Sequence, residues 1–291
     1  MAKPSEPSRS VDVVVVTYNP GDTLQRFLDS VDSAGEVASV TVVDSASPEQ
    51  TARDVAAKWG LTFLPMPSNR GYGAAANAGA ALGSAPWIAI CNADIMLSRG
   101  ALGTLVRAGE EGEDVGAVGP LIRDLDGTLY PSARPLPSLG MGMGHSIFGR
   151  MWPSNPWTRK YRKGMDPTAG PEDVGWLSGS CLVVRRRAFE EVGGFDEGYF
   201  MFMEDVDLGR RLGRAGYRCR WIPEATVGHV GGHTWRSDPE PMIRAHHASV
   251  GRYVSIVYPG LWRAPLRALL RLGLRIRQKV EVAAARRARA D

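Results

Sequence analysis

Val11-Asp12-Val13-Val14-Val15-Val16-Thr17-Tyr18-Asn19-Pro20 is the first strongly apolar stretch of the chain. A nearly continuous valine run fits a strand covered on both faces of a parallel sheet, here running into a loop. Working outward, strands and helices alternate. Asp22 to Val31 has helical spacing, and Ser39-Val40-Thr41-Val42-Val43-Asp44 is a second apolar strand ending in an acid. Ser45 to Glu49 reads as a turn, Thr51 to Trp59 as a helix and Leu61 to Pro65 as a third strand. Ile88-Ala89-Ile90-Cys91-Asn92-Ala93-Asp94 is a fourth, again with an acid at its end. This alternation predicts an α/β fold with a mostly parallel central sheet flanked by helices. Ligands of such sheets bind beyond the carboxyl ends of the strands, where Thr17, Asp44 and Asp94 fall.

The chain has 291 residues, 44% hydrophobic and 23% charged, which excludes a disordered chain. No apolar run approaches the roughly 18 residues of a spanning helix, and the N-terminus lacks a signal-peptide core. Cys91, Cys181 and Cys219 form no CxxC pair and read as buried side chains in a reducing compartment. The expected location is cytoplasmic. Residues 1–10 are expected to be disordered, residues 11–240 to form the main domain, and residues 241–291 a helical, basic extension. From Trp262 onward nine Arg or Lys face two acids, a net +7, so the +4 of the whole chain leaves −3 for the rest. That asymmetry predicts an anionic surface as partner. Between Leu261 and Lys279 arginines alternate with leucines, the pattern of a helix lying on an anionic membrane. A membrane is favoured over nucleic acid, which is not expected as a partner.

Three further segments carry candidate chemistry. Asn69-Arg70-Gly71-Tyr72-Gly73-Ala74-Ala75-Ala76-Asn77-Ala78-Gly79 is a glycine-rich loop entering a helix. Its small residues would let backbone approach a ligand, and a helix start attracts phosphate. It lacks the spacing of a dinucleotide fingerprint and the lysine of a P-loop. Arg70 suits a diphosphate or a surface ion pair; Asp44 suits a polar ring edge or a turn cap. Asn92-Ala93-Asp94 sets two oxygen-bearing side chains at i and i+2, which point the same way on an extended segment and suit Mg²⁺ or Mn²⁺. Residues 120–171, rich in Pro, Gly, Met and Trp, show little periodicity and read as a functional loop or a cover over the core. After Tyr217 to Ile222 resumes a strand, Pro223 and the glycines beside His229 suggest a tight loop.

Gly194-Phe195-Asp196-Glu197-Gly198-Tyr199-Phe200-Met201-Phe202-Met203-Glu204-Asp205-Val206-Asp207-Leu208 concentrates acids among aromatics. Packed like charges repel and need a cation, a proton or a donor to compensate them. Leu208 and Leu212 share a helix face, so the carboxylates lie at or just before a helix N-terminus, where free N–H groups favour negative charge. An ionised carboxylate beside a pocket is what a general base needs.

Taken together and in order, Thr17-Tyr18-Asn19-Pro20, Val42-Val43-Asp44-Ser45-Ala46-Ser47, Asn69-Arg70-Gly71-Tyr72-Gly73, Asn92-Ala93-Asp94, Gly193-Gly194-Phe195-Asp196-Glu197 and Glu204-Asp205-Val206-Asp207-Leu208 resemble the family-2 glycosyltransferases of the GT-A fold. Among them the chain looks most similar to the rhamnosyltransferases of actinobacterial cell-wall (arabinogalactan) linker synthesis. Gly119 to Asp124, Tyr130 to Arg134, Trp176-Leu177-Ser178-Gly179-Ser180-Cys181, Tyr199-Phe200-Met201 and Trp262 to Arg267 carry that closer match. The resemblance covers roughly residues 11 to 267.

The resemblance implies a nucleotide-sugar donor, dTDP-rhamnose, and a polyprenyl-diphosphate-linked N-acetylglucosamine acceptor. It implies donor binding by Thr17, Tyr18, Asn19, Asp44, Arg70, Gly71, Asn92, Ala93 and Asp94. It implies acceptor binding by Trp176, Ser178, Gly179 and Glu204. Asp205, with Glu204 beside it, would be catalytic, Asp205 as the base. A divalent cation, Mg²⁺ or Mn²⁺, would sit on Asp94, the last position of the family's DxD, and on His229. Asn92 departs from the first position of that motif. The enzyme would be peripheral on the inner face of the plasma membrane. Two alternatives are a family member using a uridine-diphosphate sugar and a non-catalytic sugar- or lipid-binding scaffold. Formation of a homo-oligomer is left open.

Overall fold

The valine run becomes β1 (Val11–Thr17), every residue of which is buried. In this computed structural model, which describes residues 10–137, 166–168, 170–230 and 239–290, β2 (Val37–Asp44) and β4 (Trp87–Asn92) pair in parallel with β1 on its two sides, and β3 (Thr62–Pro65) extends the sheet beyond β2. Strand alternation sends Val11, Val13 and Val15 to one face, against Leu24, Phe27 and Leu28 of helix α1 (Thr23–Ala34). Val14 and Val16 go to the other, against Tyr72, Ala75 and Ala76 of α3 (Tyr72–Ala80). Both faces are covered, which is why no polar residue alternates through the run. Helix α2 (Thr51–Trp59) connects β2 to β3.

Beyond β4 the parallel order breaks. Strand β11 (Cys181–Arg185) runs antiparallel between β4 and β6 (Val115–Asp124). Then come β12 (Arg218–His229), parallel to β6, and the short β5 (Ile95–Leu97) at the edge. Strands β7 (Leu129–Tyr130) and β9 (Glu172–Val174) pair with β6 and β12, while β8 (Ala133–Arg134) and β10 (Trp176–Leu177) form a separate ribbon. Helix α4 (Ala101–Glu110) packs on β6 and β12, and α5 (Arg186–Glu191) follows β11. Helix α6 (Glu204–Arg214) then leads to β12. The chain closes with α7 (Pro239–Val257), a single 3-10 turn and α8 (Ala264–Ala290).

Several sequence expectations need correction. The fourth strand ends at Asn92, and Ala93-Asp94 is a turn, so Asn92 and Asp94 do not share an extended segment. Residues 120–134 are not irregular: β6 runs through Pro120 to Asp124, with β7 and β8 behind it. Pro223 does not end a strand, because β12 shifts register between Ile222 and Thr226 and continues to His229. The 141–144 and 152–157 segments, and residues 1–9 of the N-terminus, lie outside the described residues. The three cysteines are buried and free, with Cys91 and Cys181 facing each other across β4 and β11 at 3.8 Å.

A buried ion pair ties the two halves of the sheet together. Asp12 on β1 accepts from Arg186 at 2.8 Å, from the Ala85 amide at 2.7 Å and from Ser39 Oγ at 2.5 Å. Arg186 also donates to the carbonyls of Ala80 and Ala85, so each charge has several partners. Asp12→Ala strands the guanidinium and should lower unfolding free energy by about 3 to 5 kcal/mol. Urea unfolding measures this; a loss below ~1 kcal/mol would show the pair to be solvent-screened.

Candidate active site

A cleft of about 2150 Å³ opens over the carboxyl ends of β1 and β4. The loop after β1 (Tyr18, Asn19), the β4–β5 turn (Asn92, Ala93, Asp94), the 200–206 segment and both C-terminal helices wall it.

The acidic stretch supplies one wall. Phe202 and Met203 both take left-handed backbone (φ 68° and 69°), rare for residues with side chains. That double turn drops the chain into α6 with Glu204, Asp205 and Asp207 in its first turn. The three acids then part company. Asp207 faces inward and is neutralised by Arg210 and Arg211, each at 2.6 Å. Asp205 faces the cleft: Oδ2 accepts from the Gly179 amide at 3.0 Å and Oδ1 from the Val206 amide at 2.8 Å. Burial raises its pKa, and those two amides partly offset the rise. Glu204 is buried, and its Oε2 has no hydrogen-bond partner among the described residues. Burial first, then the neighbouring Asp205 charge, push Glu204 well above the usual carboxylate range. Burial thus raises both acids, and the helix start alone does not hold them in the ordinary carboxylate range.

Gly179, whose amide holds Asp205, is itself held on its other side, because Tyr72 Oη donates to its carbonyl, in the next peptide unit, at 2.5 Å. Burial keeps the Tyr72 phenol protonated. Tyr72 is placed by Gly71, whose φ of +96° and missing Cβ allow contact with Phe200: a Cβ there would lie 2.0 Å from the Phe200 carbonyl oxygen. The glycine loop expected to admit a ligand instead admits the 200 segment, and Gly79 lets α3 sit on Val14 and Val43.

Opposite stands the β4–β5 turn. Register sets His229 of β12 beside Ile95 of β5 and Asp124 of β6. His229 Nδ1 contacts Asp124 Oδ1 at 2.9 Å, and Nε2 lies 3.4 Å from Asp94 Oδ2. Burial pulls the imidazole pKa down, and the two carboxylates more than reverse this, leaving it above its ordinary value. Asp94 Oδ1 is buried without a hydrogen-bond partner among the described residues. A carboxylate with one oxygen beside an imidazole nitrogen and the other without a partner, at the edge of a cleft, fits a divalent cation. No three such groups converge among the described residues, so oxygens of a bound substrate would have to complete the coordination.

The other expected donor residues divide. Tyr18, Asn19, Asn92 and Ala93 line the cleft; Thr17, Asp44, Arg70 and Gly71 do not. Asp44 Oδ1 accepts from Thr17 Oγ1 and Ser47 Oγ, and Oδ2 from the Ser47 amide, so it caps its own turn. Arg70 pairs with Glu197 at 2.7 Å on the surface, the alternative noted from its sequence. Of the expected acceptor residues, Trp176, Ser178, Gly179 and Glu204 all line the cleft. Sequence reading missed Asp124, Tyr72 and the part played by the C-terminal helices as a wall. Tyr72 stood inside a quoted motif, and Asp124 closed one; nothing in the sequence linked α7 and α8 to the cleft.

A mixed α/β sheet with a carboxylate-lined cleft at the parallel strand ends has the architecture of the GT-A fold. The sequence pattern of Glycosyl transferase family 2 matches residues 12–193, and that of Glycosyl transferase family group 2 matches residues 160–245. The chain belongs to glycosyl transferase family 2 and is a glycosyltransferase. It is 44% identical over 284 residues to the N-acetylglucosaminyl-diphospho-decaprenol L-rhamnosyltransferase of Mycobacterium tuberculosis, covering 93% of this chain and 92% of that one. Among solved structures, GalNAc-T7 with UDP, GalNAc and Mn²⁺ aligns with TM-score 0.62 at 19% identity, covering 85% of this chain and about half (48%) of that one. A Pyrobaculum calidifontis mannosyltransferase with GDP-Man and Mn²⁺ aligns with TM-score 0.60 at 17% identity, covering 99% of this chain and 78% of that one.

Tyr72→Phe should loosen the Gly179 peptide and lower kcat by roughly 10- to 100-fold, with KM for the donor little changed. A weaker Gly179 amide bond stabilises the Asp205 carboxylate less, so the acid limb of the kcat profile should move to higher pH. An unshifted acid limb would show that Tyr72 only packs.

Proposed function

We propose that this enzyme transfers rhamnose from dTDP-rhamnose to N-acetylglucosaminyl-diphospho-polyprenol, with inversion, in cell-wall linker synthesis. The observation that carries this reading is the cleft-facing Asp205, fixed by the Gly179 amide, on the same cleft as the Asp94–His229 pair. The rhamnosyltransferase relative, matched over nearly its whole length, supplies the sugar and the acceptor class.

In this reading the ionised Asp205 takes the proton of an acceptor hydroxyl. That oxygen bonds to the anomeric carbon as the bond from that carbon to the donor diphosphate oxygen breaks. Glu204 lines the cleft beside Asp205, and its raised pKa favours the protonated form, which could donate to an acceptor oxygen. Trp176 and Ser178 line the acceptor side. On the donor side Tyr18 and Asn19 face the nucleotide. Asp44 Oδ2 accepts one bond only, so it keeps a lone pair for a base ring N–H once the turn opens towards it. Arg70 would reach a diphosphate only by leaving Glu197. Asp94 and His229 would hold the divalent cation, which when bound offsets charge on the leaving diphosphate.

Among the described residues no helix is long and apolar enough to cross a membrane. Leu269, Leu272, Ile276 and Val280 are instead exposed along α8, among its arginines, with Trp262 exposed in the turn before it. We place the enzyme peripherally on the inner face of the plasma membrane through this edge, since the acceptor is a lipid.

Asp205→Asn should keep donor affinity and lose kcat by about 10²- to 10⁴-fold, the usual share of a general base. Calorimetric donor binding beside radiolabelled rhamnose transfer reads both, and near-native turnover would remove Asp205 from the role. Asp94→Ala should abolish the stabilisation that Mn²⁺ adds to dTDP in a thermal melt. An unchanged Mn²⁺ response would place the cation elsewhere.

A further inference from the structure

The cleft is larger than its chemistry needs. Small-molecule sites usually enclose about 300–1000 Å³, and this one encloses about 2150 Å³. Its lining changes along its length. Near the strands it presents Asn92, Asp94 and Asp205; between α7 and α8 it presents Val250, Val254, Leu270 and Leu274. Phe202 and Met203 stand where the two parts meet. Arg277 is the single ionised side chain that the two helices add to the wall among the described residues, and it is paired with Glu281 at 2.7 Å. His246, Tyr253 and Tyr258 add polar edges, but this half is mainly apolar, with little to hold a charged ligand.

Two positions show where the apolar half leads. Gly273 lines it, and a Cβ built there meets nothing within 4 Å, so helix backbone borders open space. Glycine inside a helix is disfavoured against alanine, yet here the bare position widens the passage. Leu269 lines the cleft and is also 66% exposed. It begins the exposed stripe Leu269, Leu272, Ile276, Val280, spaced three, four and four residues apart on one face of α8. Exposed Arg271, Arg275 and Lys279 interleave with that stripe. The apolar half of the cleft is thus continuous, through Leu269, with a basic amphipathic edge suited to anionic lipid.

We propose that the passage between α7 and α8 is a slot for the first isoprene units of the lipid acceptor, with its mouth on the bilayer-facing edge of α8. The assignment rests on the polyprenyl-acceptor reading above and adds to it where the hydrocarbon runs. The occupant is an uncharged, unbranched-backbone hydrocarbon attached to a diphosphate at the catalytic end. Continuity with the catalytic centre and with the basic edge favours it over a protein partner, which would need polar rim contacts.

The test compares two acceptors with the full chain in detergent: N-acetylglucosaminyl diphosphate esterified with farnesol or with methanol. Native enzyme should show a KM for the farnesyl ester at least about tenfold below that for the methyl ester, since each buried methylene adds affinity. Gly273→Phe, which fills the passage from a position with room for its Cβ, should bring the ratio of the two KM values close to one. Gly273→Ala should leave most of the ratio. Leu269→Gln, at the exposed mouth where folding is tolerant, should reduce the ratio in the same direction. A native ratio near one, or a native-like ratio in both Gly273→Phe and Leu269→Gln, overturns the slot while leaving rhamnosyl transfer standing. Gly273→Phe that changes sedimentation but not the ratio overturns it in favour of a second copy of the chain. Failure of the native enzyme to glycosylate either ester overturns the acceptor reading itself, and the slot with it.

Discussion

Two adjacent carboxylates in one desolvated place cannot both ionise cheaply, and the site is organised around that repulsion. Glu204 and Asp205 sit side by side at the start of α6, and Asp205 alone accepts from the Gly179 and Val206 amides. Burial raises both, the Gly179 and Val206 amides hold back the rise at Asp205, and the Asp205 charge adds to the rise at Glu204. Asp207, two residues on, escapes the competition because Arg210 and Arg211 meet it on the inner side of the helix. A helix N-terminus alone would favour all three charges equally; the Gly179 peptide makes the distinction.

That peptide is in the right place because of where the sheet changes direction. Strand β11 enters antiparallel beside β4, with Cys181 opposite Cys91, so the turn before β11 lies against the end of β4. The Asn92 amide donates to the Ser180 carbonyl at 2.9 Å, linking the donor-side turn to the segment that holds Asp205. On the far side of β4, the register of β12 against β5 and β6 brings His229 to Asp94. The Gly179 segment and the Asp94–His229 pair are thus placed by strand register, which a packed sheet specifies strongly because a one-residue slip turns every side chain to the opposite face.

This division explains what was legible in the sequence. The valine run, the alternating helices and the acidic helix start are local patterns, and β1, α2 and α6 appear where those patterns end. Contacts made by register or by a missing Cβ leave little local trace. Asp94 looked like the partner of Asn92, two residues away, but a turn separates them and the partner is His229, 135 positions later. Gly71 looked like a ligand contact, and its space is taken by Phe200. Asp44 and Arg70 illustrate a different limit: a strand-end acid and a loop arginine suit a nucleotide, yet each finds a partner within its own surroundings, Ser47 and Glu197.

The C-terminal helices carry the argument from chemistry to location. Read as composition, they are a basic tail appended to a catalytic domain. In the fold they are fastened to the catalytic loop: Arg252 of α7 binds Asp196 at 2.8 Å and stacks over Tyr199, and Ser249 Oγ donates to the Met201 carbonyl. Gly198 leaves room for Arg252 to lie close, since a Cβ there would lie 2.2 Å from the guanidinium carbon and push that side chain aside. Helix α8 is pinned in turn by Arg271 to Ser255 and by Arg286 to Glu240. The loop that turns Asp205 into the cleft is therefore also the seat of the hairpin that bears the exposed apolar edge. An interaction at that edge can reach the 196–203 loop through α7 alone, without crossing the sheet. The orientation of Asp205 and the placement of the exposed apolar edge of α8 are set by the same few contacts.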